Sequence, residues 1–119
     1  MIGCDITKIE RFEKYTNDEK FLNKYFSKNE QEYILKKQNK AQTLAGLYAC
    51  KEAVLKAFQI GIGNGIALVD VEISHNEFSA PVVVLNEKLK ALLEKIKKQI
   101  VSISISHDDD YAFAVCMVE

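Results

Sequence analysis

Residues 100–106 alternate apolar and small polar side chains, and residues 111–118 resume an apolar, β-prone run after four polar positions. That period of two predicts a hairpin of two strands closed by a turn at 107–110. The first six residues are short, apolar and β-prone, and predict an opening strand that stops at Thr7. Ile9, Phe12 and Tyr15 then recur near helical spacing among Lys8, Glu10, Arg11, Glu13 and Lys14, the pattern of an amphipathic helix with a charged outer face. Phe21, Leu22, Tyr25 and Phe26 predict a second helical turn or two. Ser27 followed by Glu30 is a capping box, opening a helix that runs to about Lys37.

The longest helix, rich in Ala and Leu, is predicted over 41–59 and ended by Gly61. Within it Ala45, Ala49, Ala53 and Ala57 fall four apart and form a smooth ridge that lets the helix approach a neighbouring backbone closely. Gly61, Gly63 and Gly65 make a loop, and residues 69–74 and 81–85 read as strands. Asn86 caps a helix carrying Leu89, Leu92, Leu93 and Ile96. The mixture predicts an α+β fold, an antiparallel sheet with a long central helix in a single compact domain over 1–119.

Composition narrows the function classes. A chain of 119 residues buries enough surface to stand without disulfides or metals as staples. With 48% hydrophobic residues and a net charge of −1 it is neither disordered nor globally basic, so nucleic acid is not an expected partner. Arg11 is its one arginine. Cys4, Cys50 and Cys116 lack C-x-x-C spacing and read as free, buried thiols of a reducing compartment. No run approaches 18 apolar residues, and no apolar stretch follows the charge at Asp5. The expectation is a cytoplasmic protein with neither membrane span nor signal peptide.

Candidate chemistry concentrates in three places. Glu52 and Lys56 stand four apart, on one helix face with Cβ atoms about 5–6 Å apart. Their arrangement reads either as a solvated ion pair or as a carboxylate and ammonium that hold a metal and a phosphate together. The G-I-G-N-G loop at 61–65 lacks the G-K-[ST] ending of a P-loop and follows a helix, so neither nucleotide fingerprint applies. Gly61 there is either a helix cap or a place where backbone N–H groups reach a phosphate. Asp5, a carboxylate in an apolar strand, either ends the strand and caps the turn with Thr7 or serves as a hard oxygen ligand for Mg²⁺. His107 ends the strand I-S-I-S-H, while His75 closes a second I-S-H at 73–75. Asp108, Asp109 and Asp110 read as a solvated turn. No Ser-His-Asp or Cys-His spacing supports a covalent nucleophile.

Three blocks together resemble the holo-acyl-carrier-protein synthases, the small phosphopantetheinyl transferases. They are I-G-C-D-I-T-K-I-E-R-F at 2–12, A-G-L-Y-A-C-K-E-A-V-L-K-A-F-Q-I-G-I-G at 45–63, and V-S-I-S-I-S-H-D-D-D-Y-A-F-A-V at 101–115. The likeness spans the chain, and Y-A-x-A after His107 singles out the second of the two I-S-H tripeptides. It implies transfer of the 4′-phosphopantetheine arm of coenzyme A to a serine of apo acyl carrier protein, a step of fatty acid biosynthesis that releases 3′,5′-ADP. It also implies a Mg²⁺ cofactor and a homotrimer with sites between neighbouring subunits. Carried onto matching positions, Asp5 and Glu52 would ligate Mg²⁺ and Lys56 would contact the pyrophosphate. Gly61, Gly63, Ser106 and His107 would lie along the nucleotide, and Arg11 with lysines such as Lys14 would meet the acidic carrier protein. Leu47 stands where many members carry arginine, and Ala80 precedes Pro81 where glycine is common. A non-catalytic module of the same fold, binding the carrier or a nucleotide without turnover, is the rival expectation.

Overall fold

The computed structural model, which describes residues 1–59 and 65–119, runs β1 (Ile2–Lys8), a 3₁₀ helix (Ile9–Tyr15), α1 (Glu19–Tyr25), α2 (Lys28–Leu35), α3 (Lys40–Ala57), a 3₁₀ turn (Leu68–Asp70), β2 (Ile73–His75), β3 (Pro81–Val83), α4 (Glu87–Lys95), β4 (Val101–His107) and β5 (Tyr111–Val118). The sheet order is β1–β5–β4, antiparallel throughout, and β2 and β3 form a separate antiparallel pair. The alternation read from the sequence sets which side chains face inward. Gly3, Asp5 and Thr7 on β1, Ala112, Ala114, Cys116 and Val118 on β5, and Val101, Ile103 and Ile105 on β4 all share the inner face.

α3 covers that inner face, and the alanine ridge explains how closely. Ala45, Ala49, Ala53 and Ala57 are all fully buried. A Cβ added to Gly3 would lie 2.3 Å from the Ala53 carbonyl oxygen and 2.4 Å from the Ala57 nitrogen. Nearer its N-terminus the helix lies against β4, where a Cβ on Gly46 would stand 3.2 Å from Ile105. α3 therefore crosses the sheet obliquely, from β4 towards β1.

Several elements differ from their sequence reading. β1 continues through Thr7, which is buried, to Lys8, so Asp5 lies mid-strand and neither ends the strand nor caps a turn. Ile9, Phe12 and Tyr15 are three apart, the period of a 3₁₀ helix rather than an α-helix, and that is what forms. Residues 69–74 are not one strand. Asp70 accepts a hydrogen bond from the Ala67 N–H at 2.8 Å and folds a 3₁₀ turn, leaving only Ile73–His75 to pair. α3 ends at Ala57, before Gly61, and Gln59 takes the left-handed conformation at φ 58°. Gly61 and Gly63 lie outside the described residues. Cys4 is exposed, whereas Cys50 and Cys116 are buried and their thiols are pushed up to about 12 and about 11 by burial.

Both caps read from the sequence form. The Glu30 N–H donates to Ser27 Oγ at 3.2 Å while the Ser27 N–H donates to Glu30 Oε1 at 2.8 Å, and the Leu89 N–H donates to Asn86 Oδ1 at 3.0 Å. In the hairpin turn Asp108 accepts the N–H groups of Asp110 and Tyr111 at 2.8 and 2.7 Å, which hold its carboxyl below the ordinary range. The Ile9 N–H donates to the Asp110 carbonyl at 2.9 Å and ties that turn to the end of β1.

Candidate active site

Because Asp5 faces inward in the middle of β1 and Lys56 stands on the last turn of α3, the crossing brings the two together. Lys56 Nζ donates to Asp5 Oδ1 at 2.9 Å across 51 residues of chain. The local i,i+4 ion pair is thus not the one that forms. That hydrogen bond, followed by the negative charges of Asp5 and Glu52, holds the Lys56 ammonium above its ordinary range. Glu52 is half-buried on the same side of α3, and no ion pair within the described residues occupies its carboxylate. Its charge also adds to burial in raising the Tyr48 hydroxyl, while the Arg11 guanidinium acts on Tyr48 in the opposite sense. Asp5, Glu52 and Lys56 therefore form one group on the β1 side of α3.

Arg11 lies beside that group. Its guanidinium carbon is 5.5 Å from the Tyr48 ring and 5.3 Å from that of Phe12. Lys14, one turn along the same 3₁₀ helix, rests over Tyr15 at 5.1 Å. Both are exposed, on a surface backed by the stacked rings of Tyr15 and Phe21 at 3.8 Å.

His107 belongs to a different place. It ends β4, with β5 between it and β1, so two strand spacings of roughly 10 Å separate the edge strands that carry His107 and Asp5. His107 lines a cavity of about 170 Å³ together with Leu47 and Ile105. None of Asp5, Glu52 and Lys56 borders that cavity. Ser106, one residue earlier, points to the opposite face of the sheet.

Two further residues were given no role in the sequence reading. His75, in the other I-S-H, lines the same cavity and stacks on Tyr33 of α2 with ring centroids 3.9 Å apart and planes 10° apart. Burial, then the charge of Lys37, depresses its imidazole. Lys51, next to Glu52, is fully buried and bonded to Glu30 at 2.6 Å. Its signal was present in the spacing, because Leu44, Leu47, Lys51, Val54 and Phe58 are separated by three and four residues and make one buried stripe of α3.

Comparison with known proteins decides the family. The sequence model of the 4′-phosphopantetheinyl transferase superfamily matches residues 1–116. The chain belongs to that superfamily. The holo-[acyl-carrier-protein] synthase of Fusobacterium nucleatum is 40% identical over 118 residues, covering 98% of this chain and 96% of the relative. The crystal structure of Helicobacter pylori holo-[acyl-carrier-protein] synthase in complex with coenzyme A superposes with a TM-score of 0.86 at 36% identity, over the full length of both chains. That of the Neisseria meningitidis synthase gives 0.89 at 25% identity, over 99% of this chain and 96% of the other. The sequence resemblance and the α+β architecture expected of this superfamily member are both borne out.

Proposed function

We propose that this chain is a holo-acyl-carrier-protein synthase of the cytoplasm, moving the 4′-phosphopantetheine arm of coenzyme A onto a serine of apo acyl carrier protein. The observation that carries the reading is the convergence of Asp5, Glu52 and Lys56 from β1 and α3, with Asp5 and Lys56 at 2.9 Å. Two carboxylates without a third ligating side chain suit Mg²⁺, which usually takes one or two carboxylates and completes its shell with waters and substrate phosphates. Among the described residues no group of three or more His, Cys, Asp or Glu offers a fuller cage. A Mg²⁺ ion held by Asp5 and Glu52 would neutralise charge on the pyrophosphate.

The chain's own residues do the rest. In the transfer, the serine hydroxyl gives its proton to a water molecule, its oxygen bonds to the β-phosphorus of coenzyme A, the bond from that phosphorus to the bridging oxygen breaks, and 3′,5′-ADP leaves with the electron pair. The Lys56 side chain is 54% exposed, free to turn from Asp5 to a pyrophosphate oxygen as the leaving charge grows. Arg11 and Lys14 offer positive charge beside this group to an acidic carrier. The cavity at His107 is assigned to the nucleotide end of coenzyme A by the family likeness at His107. Gly61 and Gly63 are assigned to the same substrate by the family likeness alone.

The division of these residues between two sides of α3 supports a site shared between copies. The β1–β5 part of the outer sheet face is exposed and apolar, with Ile2 69% and Ile6 62% exposed and with Phe113 and Met117 beside them, while Ser102, Ser104 and Ser106 line the β4 part. Free monomers rarely leave so continuous an apolar surface uncovered. We assign this face to the contacts of a homotrimer. A Phe113→Asp substitution, on that face and outside the core, is expected to convert a three-chain particle into single chains in sedimentation equilibrium and to abolish transfer. Single wild-type chains at working concentration would refute the shared site.

The deciding experiment is intact mass spectrometry of an apo carrier protein incubated with coenzyme A, Mg²⁺ and this chain. The carrier is expected to gain the mass of one phosphopantetheine arm. Chelation by EDTA is expected to stop the gain and excess Mg²⁺ to restore it. Binding of carrier without any gain in mass would favour the non-catalytic module.

A further inference from the structure

The buried pair Lys51–Glu30 is not used by the chemistry above, and stability does not account for it. The two side chains are 0% exposed, and each is pushed towards neutrality by burial, Glu30 upward and Lys51 downward. Well-packed apolar residues of similar volume usually serve stability as well as such a pair or better. What apolar residues cannot do is hold main-chain groups at fixed positions. All three protons of Lys51 are engaged, by Glu30 Oε1 at 2.6 Å, the Val71 carbonyl at 2.8 Å and the Leu68 carbonyl at 3.1 Å. Glu30 in turn accepts the N–H of Ser27 on Oε1 and that of Ile73 on Oε2, both at 2.8 Å. One pair thus joins the start of α2, the middle of α3, the 3₁₀ turn and the first residue of β2.

The rings that line the cavity hang on those same anchor points. Tyr33 is three residues beyond Glu30 on α2, hence on its face. His75 is two residues beyond Ile73 on β2, hence on the same side of the strand. Their stack at 3.9 Å borders the cavity that also holds His107. We propose that Lys51 and Glu30 are positioning residues: they clasp α2 to β2 so that the Tyr33–His75 stack stands as a wall of the coenzyme A cavity. This rests on the reading that the cavity takes coenzyme A. It adds that the wall's ring face contacts the substrate and that residues far from the reacting phosphorus set its place.

The test uses the full chain and separates KM from kcat. His75 is half-buried at a strand end, so H75A folds. It is expected to raise KM for coenzyme A about three- to tenfold, the range for a lost ring-stacking contact, with kcat within about twofold. K51M and E30Q are expected to reproduce that rise and to lose amide hydrogen-exchange protection at Ile73 and His75, while KM for the carrier stays unchanged. A merely structural pair would instead lower the amount of active enzyme, reducing apparent kcat and leaving KM where it was. An unchanged KM for coenzyme A in H75A overturns the proposal even where the clasp variants fail to fold, and so does an unchanged KM in either folded clasp variant. A wild-type chain that neither binds nor consumes coenzyme A overturns the functional reading itself, before any variant is measured.

Discussion

Glu52→Ala is expected to lower phosphopantetheine transfer by about 10³-fold or more while leaving the melting temperature nearly unchanged. The two halves of that result have separate causes. Glu52 is half-buried and in no ion pair with the described residues, so its loss leaves no buried partner stranded. Substitutions of this kind usually change stability by less than about 0.5 kcal/mol. For transfer, the same carboxylate is, with Asp5, one of the two oxygen donors proposed to hold a cation near Lys56. Asp5→Asn makes the complementary case. It keeps the volume and an oxygen facing Lys56 Nζ but removes the charge, and it is expected to be nearly as inactive. Either variant retaining wild-type turnover, measured by the mass of the carrier, would remove the metal role from these residues.

The contrast between what was legible and what was not follows the range of the interactions. Strand alternation in residues 101–118, the Ser27–Glu30 box and the Asn86 cap are encoded within a few residues, and each forms. The alanine ridge was legible as a contact surface, although its partner, Gly3, was not. Residues 69–74 misled because Val69 and Val71 look β-prone, whereas the side chain of Asp70 bends that segment into a turn and Lys51 takes the carbonyls of Leu68 and Val71. The candidate site was legible only in part. Asp5 and Glu52 stood out as carboxylates in apolar or Ala-rich settings. Of the two readings of Glu52 and Lys56 the local ion pair does not form, because the bond of Lys56 to Asp5 spans 51 residues and leaves no mark on local spacing. His75 was passed over for the same reason: its place at the cavity depends on where α2 puts Tyr33.

Gly3→Ala is expected to be more damaging than a methyl added to either of the other described glycines, costing about 3 kcal/mol and lowering the melting temperature by about 10 °C or more. The new Cβ would stand 2.3 Å from the Ala53 carbonyl oxygen, 2.4 Å from the Ala57 nitrogen and 2.9 Å from the Lys56 carbonyl carbon. All three are main-chain atoms of one helix, so no side-chain rotation relieves the clash. β1 and α3 must separate. Separation has a functional cost beyond stability, because Asp5 is two residues from Gly3 and its bond to Lys56 spans the same interface. At temperatures where the variant is still folded, transfer is therefore expected to fall further than the folded fraction does. A second-site Ala53→Gly change distinguishes this account from ordinary overpacking. It removes a methyl but leaves the carbonyl in place, so the double variant is expected to melt no higher than Gly3→Ala alone. A restored melting temperature would show that side-chain crowding, not the approach of two backbones, fixes a glycine at this position.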